Sequence, residues 1–230
     1  MCNQLKVEFF KFRRFELFYL GIFLMFGVGC AYGFLKFPGG SMYDGFAATM
    51  GDVSFLFVSA LISSWFVGND FSNRTIHNEI TTGYSRLSVL LVRELPAVLS
   101  AVMLHFTYVV ATMIGLGVKR GFSFEVFQIQ DLYWGITVML QLIAMQSVVV
   151  LITFLCAKAA AAIAASVCVI FLMCNIVRNF LEVKAYTMSC FCLAQTHSNE
   201  TLLPTGIIAI LTILITVIIT WFMFRKREVK

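Results

Sequence analysis

The chain has 230 residues, 60% of them hydrophobic and 13% charged. A soluble domain is about 45–50% apolar and about 25% charged, so this composition excludes an ordinary soluble enzyme and points to an all-α integral membrane protein. The net charge of +5 sits at the ends of apolar runs, where cations orient membrane helices, and not in a patch suited to nucleic acid. The length fits one bundle of helices, residues 1–230 as a single membrane domain, with no room for a separate catalytic domain.

The N-terminal run QLKVEFFKFRRFELF mixes aromatics with cations. At helical spacing Leu5, Phe9, Phe12 and Tyr19 share one side, with Lys6, Arg13 and Arg14 on the other. That pattern predicts a helix lying in the membrane interface, its apolar face blurred by Glu8 and Glu16. The first span is expected at Leu17–Leu35 as a retained helix, and Gly29 with Gly33 makes a G-x-x-x-G step that lets two backbones approach. Lys36–Asp44, with Pro38-Gly39-Gly40, reads as a turn on the outer side. The second span, Gly45–Val67, carries Ser59 and Ser63 one helical turn apart, which suits tight helix contact or a slightly polar path.

After a polar loop, the third span is expected at Leu95–Val118, with Pro96 in its first turn, where a missing N–H costs little. The fourth, Leu132–Ala157, carries Gln141 and Gln146, amides that need partners when buried. Lys158 interrupts an apolar stretch too long for one crossing of about 20 residues, so a tight inner turn is expected there. The fifth span, Ala159–Asn175, opens on small residues, Ala157, Ala161 and Ala165 on one line and Ala160, Ala164 and Cys168 on the next, a stripe suited to a close helix seam. Short helices dipping into the outer leaflet are expected between Asn175 and Pro204, and a sixth span at Thr205–Phe224 before the basic tail RKREVK. Twelve of the 17 Lys and Arg fall on the same side under this scheme. The bias places both termini in the cytoplasm.

The pattern offers little catalytic equipment. There is no G-x-x-x-x-G-K-[ST] phosphate loop, no H-E-x-x-H and no G-x-S-x-G elbow. His77, His105 and His197 fall on different parts of the chain and do not converge on a metal. His105, inside span three, reads as a satisfied packing residue. Of the seven cysteines, Cys2 and Cys156 are expected on the reducing side, whereas Cys190 and Cys192 fall outside, where oxidation is open.

The most informative stretch is Asn69–Arg93, the polar loop between spans two and three. Asp70–Tyr84 has room for three to four helical turns, with Arg74, Asn78 and Thr81 on one face, Phe71, Ile76 and Ile80 as anchors, and Gly83 as a stop. This block resembles the corresponding region of the ABC-2 (type-2) ABC exporter permeases. The order Asp70, Arg74-Thr75, Asn78, Gly83, Ser85-Arg86 and a basic residue before span three matches theirs, although Arg93 stands where the family usually has Lys. The interfacial start, six spans, tight turn and outer segment are similar in outline. The short length is similar to the subgroup that exports amphipathic peptides such as antimicrobial peptides and phenol-soluble modulins.

The resemblance implies a permease in a bacterial plasma membrane that binds no cofactor itself. Two copies of a separate ATP-binding cassette ATPase would carry ATP and Mg, and a second permease copy would complete the pathway. It implies ATPase coupling through Asp70, Phe71, Arg74, Thr75, Asn78, Glu79, Gly83, Ser85 and Arg86. A seam between copies would involve Gly29, Gly33, Ala157, Ala161, Ala165 and Cys168, and a greasy path would pass Phe55, Ser59, Ser63, Phe66 and Phe171. An ion-coupled carrier or channel and an intramembrane enzyme remain the alternative classes.

Overall fold

The computed structural model of the chain describes residues 2–36, 41–122, 128–172, 174 and 199–226. These residues form helices joined by short turns: α1 (Cys2–Arg13), α2 (Glu16–Lys36), α3 (Met42–Met50), α4 (Phe55–Ser72), α5 (Thr75–Thr81), α6 (Arg86–Arg120), α7 (Ile129–Cys156), α8 (Ala159–Leu172) and α9 (Asn199–Lys226). By length and composition, α2, α4, α6, α7 and the Leu202–Lys226 part of α9 are able to cross a membrane. The described residues are therefore all-helical, in the pattern of a multi-pass membrane protein. At 14 residues α8 is shorter than these five. The Pro38–Gly40 turn, most of the outer segment with Arg178, Lys184, Cys190, Cys192 and His197, and the tail after Lys226 lie outside the described residues.

The second span departs from expectation by being broken. Gly51 ends α3 with its N–H on the Thr49 carbonyl, and Asp52 N–H reaches the same oxygen at 3.2 Å. The Asp52 carboxylate then accepts from Ser54 N–H at 2.8 Å. A short acidic side chain bonding the backbone two residues on competes with helix propagation, and α4 restarts at Phe55. Upstream, Ser41 and Asp44 cap α3 reciprocally.

The third span is longer than expected and starts nine residues earlier. Ser85 accepts from Ser88 N–H and opens α6, which puts Pro96 inside the helix and not in its first turn. At about 1.5 Å per residue, the 35 residues of α6 run about 52 Å, well beyond the roughly 30 Å apolar thickness of a bilayer. The excess is the polar Arg86–Arg93 end. The tight turn expected at Lys158 is present: Ala157 takes the left-handed conformation (φ 49°) between α7 and α8.

Glycine lets α2 come close to α6. A Cβ on Gly29 would lie 2.8 Å from the Tyr108 carbonyl of α6, and one on Gly33 would overlap the Thr112 carbonyl. The G-x-x-x-G step therefore seats α2 on α6 within one chain, which corrects its expected place in a seam between copies. Serines do comparable work on α4. Ser59 donates to Gln146 of α7 at 3.2 Å, Ser63 lies 3.2 Å from Ser100 of α6, and Ser64 donates to Ser166 of α8 at 3.0 Å.

Candidate functional site

Where α1, α4, α5 and α6 meet, five ionisable side chains form one cluster. Arg93, with a side chain 0% exposed, donates from Nε to Asp70 at 2.9 Å. Its Nη1 and Nη2 donate to the two Glu79 oxygens, each at 2.9 Å. This paired geometry is the strong form of a guanidinium–carboxylate contact. Lys11 of α1 joins from the other side, 2.7 Å from Glu8 and 3.1 Å from Asp70. Arg93 is also 4.0 Å from Glu8.

The local chain path explains why these groups meet. Arg74 in the left-handed conformation (φ 57°) ends the run of α4, and α5 folds back for two turns until Gly83 (φ 96°) redirects the chain into α6. The fully buried Ile76 seats α5 on the core. This differs from the expected helix of three to four turns over Asp70–Tyr84, because the break at Asn73–Arg74 divides it. The reversal brings Glu79 back over Arg93, and the outward face of α5 shows Asn78 and Thr81, with Arg74 exposed at its start.

The expected coupling residues thus divide into two sets. Arg74, Asn78 and Gly83 are exposed and Thr75 half-buried. Asp70 and Glu79 face inward to Arg93. Phe71 packs edge-on against Phe154 of α7 at 5.1 Å, and exposed Ser85 caps α6. Arg86 donates from Nη1 to the carbonyls of Phe224 and Arg225, the latter at 2.8 Å, and its guanidinium lies 5.7 Å from the Phe224 ring. It holds the end of α9 rather than reaching outward, because a cation there satisfies carbonyls that the helix leaves open. Arg86→Ala should therefore loosen the last turn of α9 by about 1.5–3 kcal/mol, the worth of hydrogen bonds to a charged group. Hydrogen exchange at residues 222–226 reads this directly, and unchanged protection there would contradict the assignment.

Glu8 was the residue that blurred the apolar side of α1. In the fold, Gln4, Glu8 and Phe12 form the buried face of that helix, and Ser88 of α6 donates to Gln4 at 2.6 Å. Burial first, and then the Asp70 carboxylate, push the Glu8 carboxyl above its ordinary range. Lys11 is held above its ordinary value because Asp70 and Glu8 outweigh the opposing effect of burial. Glu8 Oε2 is buried without a partner, so three carboxylates face two cations. A carboxyl raised in the folded state contributes stability below its unfolded value and loses that contribution as pH rises through the folded one. Docking of α1 should accordingly weaken as pH rises through the interval from 4.5 to the raised Glu8 value. Glu8→Gln should remove this dependence and tighten α1 at neutral pH. Amide protection of residues 3–12 measures both, and a pH profile identical in the variant would refute the role given to Glu8.

The expected path and seam residues distribute differently. Phe55 is buried against the His105 ring at 4.5 Å. Phe66 is buried edge-on to Phe12 at 5.9 Å. Ser59 and Ser63 are consumed in contacts between helices. All four are buried within the single chain. Phe171 is the exception at 57% exposure. On α8 the buried line is Ala162, Ser166 and Ile170, packed toward α4 where Gly68 admits Ala159. The line Ala161, Ala165 and Cys168 with Ala157 is exposed or half-buried.

Two features inside the bundle escaped the sequence reading. Asp52 places a carboxylate at the break in the second span, where Tyr108 donates to it at 2.8 Å. His105 is not a satisfied packing residue: neither ring nitrogen has a partner. No group of three His, Cys, Asp or Glu able to hold a metal occurs among the described residues. Comparison with protein-family models, curated proteins and solved structures gave no match.

Proposed function

We propose that this chain is the membrane subunit of an ATP-driven exporter and that the outward face of α5 is the seat of a separate ATP-binding cassette ATPase. The observation that carries the reading is mechanical. A two-turn helix outside the apolar core is braced from beneath by Arg93, with Glu79 on α5 itself, Asp70 on α4 and Lys11 on α1. A push on α5 is passed to three other helices through short, buried, charged contacts, while Arg74, Asn78 and Thr81 remain free to meet a partner. The resemblance to ABC-2 permeases in Asp70–Arg93 agrees with this use of the loop.

In this reading the fifth expected span, of which α8 is the described part, is a crossing like the other five, and both termini and α5 lie on the cytoplasmic side of a bacterial plasma membrane. Two copies assemble through the outward line Ala161, Ala165 and Cys168, and each binds one ATPase that carries ATP and Mg. The cargo is a hydrophobic or amphipathic peptide moving between the copies past Phe171. ATP drives the cycle only by binding more tightly to one access state than the other. The purified chain alone should hydrolyse no ATP. Co-expressed with a cassette ATPase encoded beside its gene, it should co-purify and export peptide from cells. Hydrolysis by the chain alone, or no association with that ATPase, would overturn the reading. The ion-coupled carrier remains a second reading because of the Asp52 carboxylate within the second span.

A further inference from the structure

A groove runs between α7 and α9 where the two helices end together. Phe154 and Phe224, each close to the end of its helix, form the floor and are buried. Their rings meet edge-on at 5.1 Å. Leu151 and Leu155 line the α7 side, Thr220 and Met223 the α9 side, and the space between is about 390 Å³. Leu155 is 44% exposed and Met223 47%, so the groove opens outward from the bundle. The Thr220 hydroxyl is spent on the Thr216 carbonyl at 2.7 Å. Lys226 is the charged residue of the lining. It is exposed and in no ion pair among the described residues. From Lys226 back to Thr220 the groove is about 9 Å deep at 1.5 Å per residue.

We infer that this groove binds one anionic phospholipid of the leaflet that meets the end of α9, an acyl chain lying on Phe154 and Phe224 and the phosphate meeting Lys226. The level is right for a headgroup. Half-buried Trp221 lies 5.6 Å from the Arg225 guanidinium, and tryptophan collects where the apolar core gives way to headgroups. The groove runs from that level into the hydrocarbon. The charge is right as well. Arg86 already takes the Phe224 and Arg225 carbonyls, so the negative end of α9 is met without Lys226. A basic pocket between membrane helices suits an anionic headgroup. Inorganic phosphate alone would gain one exposed ammonium and nothing from the apolar walls. A second copy of the chain seated here would have to bury that ammonium, which is costly without a counter-charge. The floor also touches the root of α5, because Phe71 packs on Phe154 at 5.1 Å and on Phe224 at 6.5 Å. The site stands whether or not α5 seats an ATPase.

The test is native mass spectrometry of the full chain in detergent micelles, titrated with dioleoyl phosphatidylglycerol or dioleoyl phosphatidylcholine. Wild type should hold one phosphatidylglycerol more tightly than phosphatidylcholine. Lys226→Gln should weaken phosphatidylglycerol by about fivefold, the worth of one cation near an anionic surface, and leave phosphatidylcholine unchanged. Leu155→Trp, which fills the groove, should weaken both lipids. Arg120→Gln, at the opposite end of the bundle, should weaken neither. Phosphatidylglycerol bound equally by wild type and Lys226→Gln, or weakened as much by Arg120→Gln, would overturn the site. Wild-type binding by Leu155→Trp would also overturn it, because attraction would then be surface charge alone. Displacement of the lipid by millimolar inorganic phosphate would assign a simple anion site instead. A wild-type dimer that Leu155→Trp converts to monomer in the same spectra would assign the groove to a second copy. Either result would overturn the inference. Circular dichroism checks folding, and if Leu155→Trp fails to fold, Met223→Trp takes its place and must weaken both lipids.

Discussion

Arg93→Ala should destabilise the protein by about 3–5 kcal/mol, the usual result of removing one partner from a buried charge network. The guanidinium makes charge-assisted bonds to Asp70 and to both oxygens of Glu79. Its loss leaves Glu8, Asp70 and Glu79 facing Lys11 alone. Arg93→Lys should recover only part of the loss. An ammonium carries the charge but lacks the planar fork that meets Asp70 and Glu79 together. Thermal unfolding in detergent gives the ranking wild type above Arg93→Lys above Arg93→Ala. The triple neutral replacement Arg93→Met, Asp70→Asn, Glu79→Gln should be milder than Arg93→Ala, because it removes the uncompensated charge along with the bonds. Equal stability of Arg93→Ala and wild type would show that the cluster does not brace α5.

The second large effect concerns transport and leaves stability alone. Arg74, Asn78 and Thr81 make no side-chain contact that holds α5 to the bundle; Thr81 bonds only the Asn78 carbonyl of its own helix. Replacing Arg74 by Glu together with Asn78 by Trp should cost less than about 0.5 kcal/mol of folding stability, as expected for surface sites. Their effect on export should be near-complete loss. A partner groove matched to this face meets a reversed charge and a bulky ring, and like-charge or steric conflict at an interface costs several kcal/mol. Retained export by this pair would remove α5 as the docking element. The contrast with Arg93 is the useful part: one substitution damages the brace and the other damages only what the brace holds outward.

How much of this was visible in the residues depends on the distance between partners. Helices α2, α7 and α9 fell near their expected bounds because each is a long apolar run with cations at an end. The turn at Lys158 was legible for the same reason. The break at Gly51–Ser54 was written as Gly-Asp-Val-Ser, a turn signal, but it lay within an apolar stretch of span length and the length argument prevailed. Glu8 looks like noise in an amphipathic pattern, since its neighbours Asp70 and Arg93 lie far along the chain and meet it only after α5 folds back. Gly29 and Gly33 announced a close approach but not to which helix, and the answer was α6 of the same chain. Ser59 and Ser63 announced polarity, and it was consumed by Gln146 and Ser100.

The central claim is that the outward face of α5 contacts an ATPase, and site-directed cross-linking tests it most directly. Asn78→p-benzoyl-phenylalanine, introduced in the full chain and illuminated in intact cells, should capture a cassette ATPase in an ATP-sensitive manner. The same probe at exposed Leu20 on α2 should not. Capture of no protein at position 78, with the variant folded and in the membrane, would contradict the account.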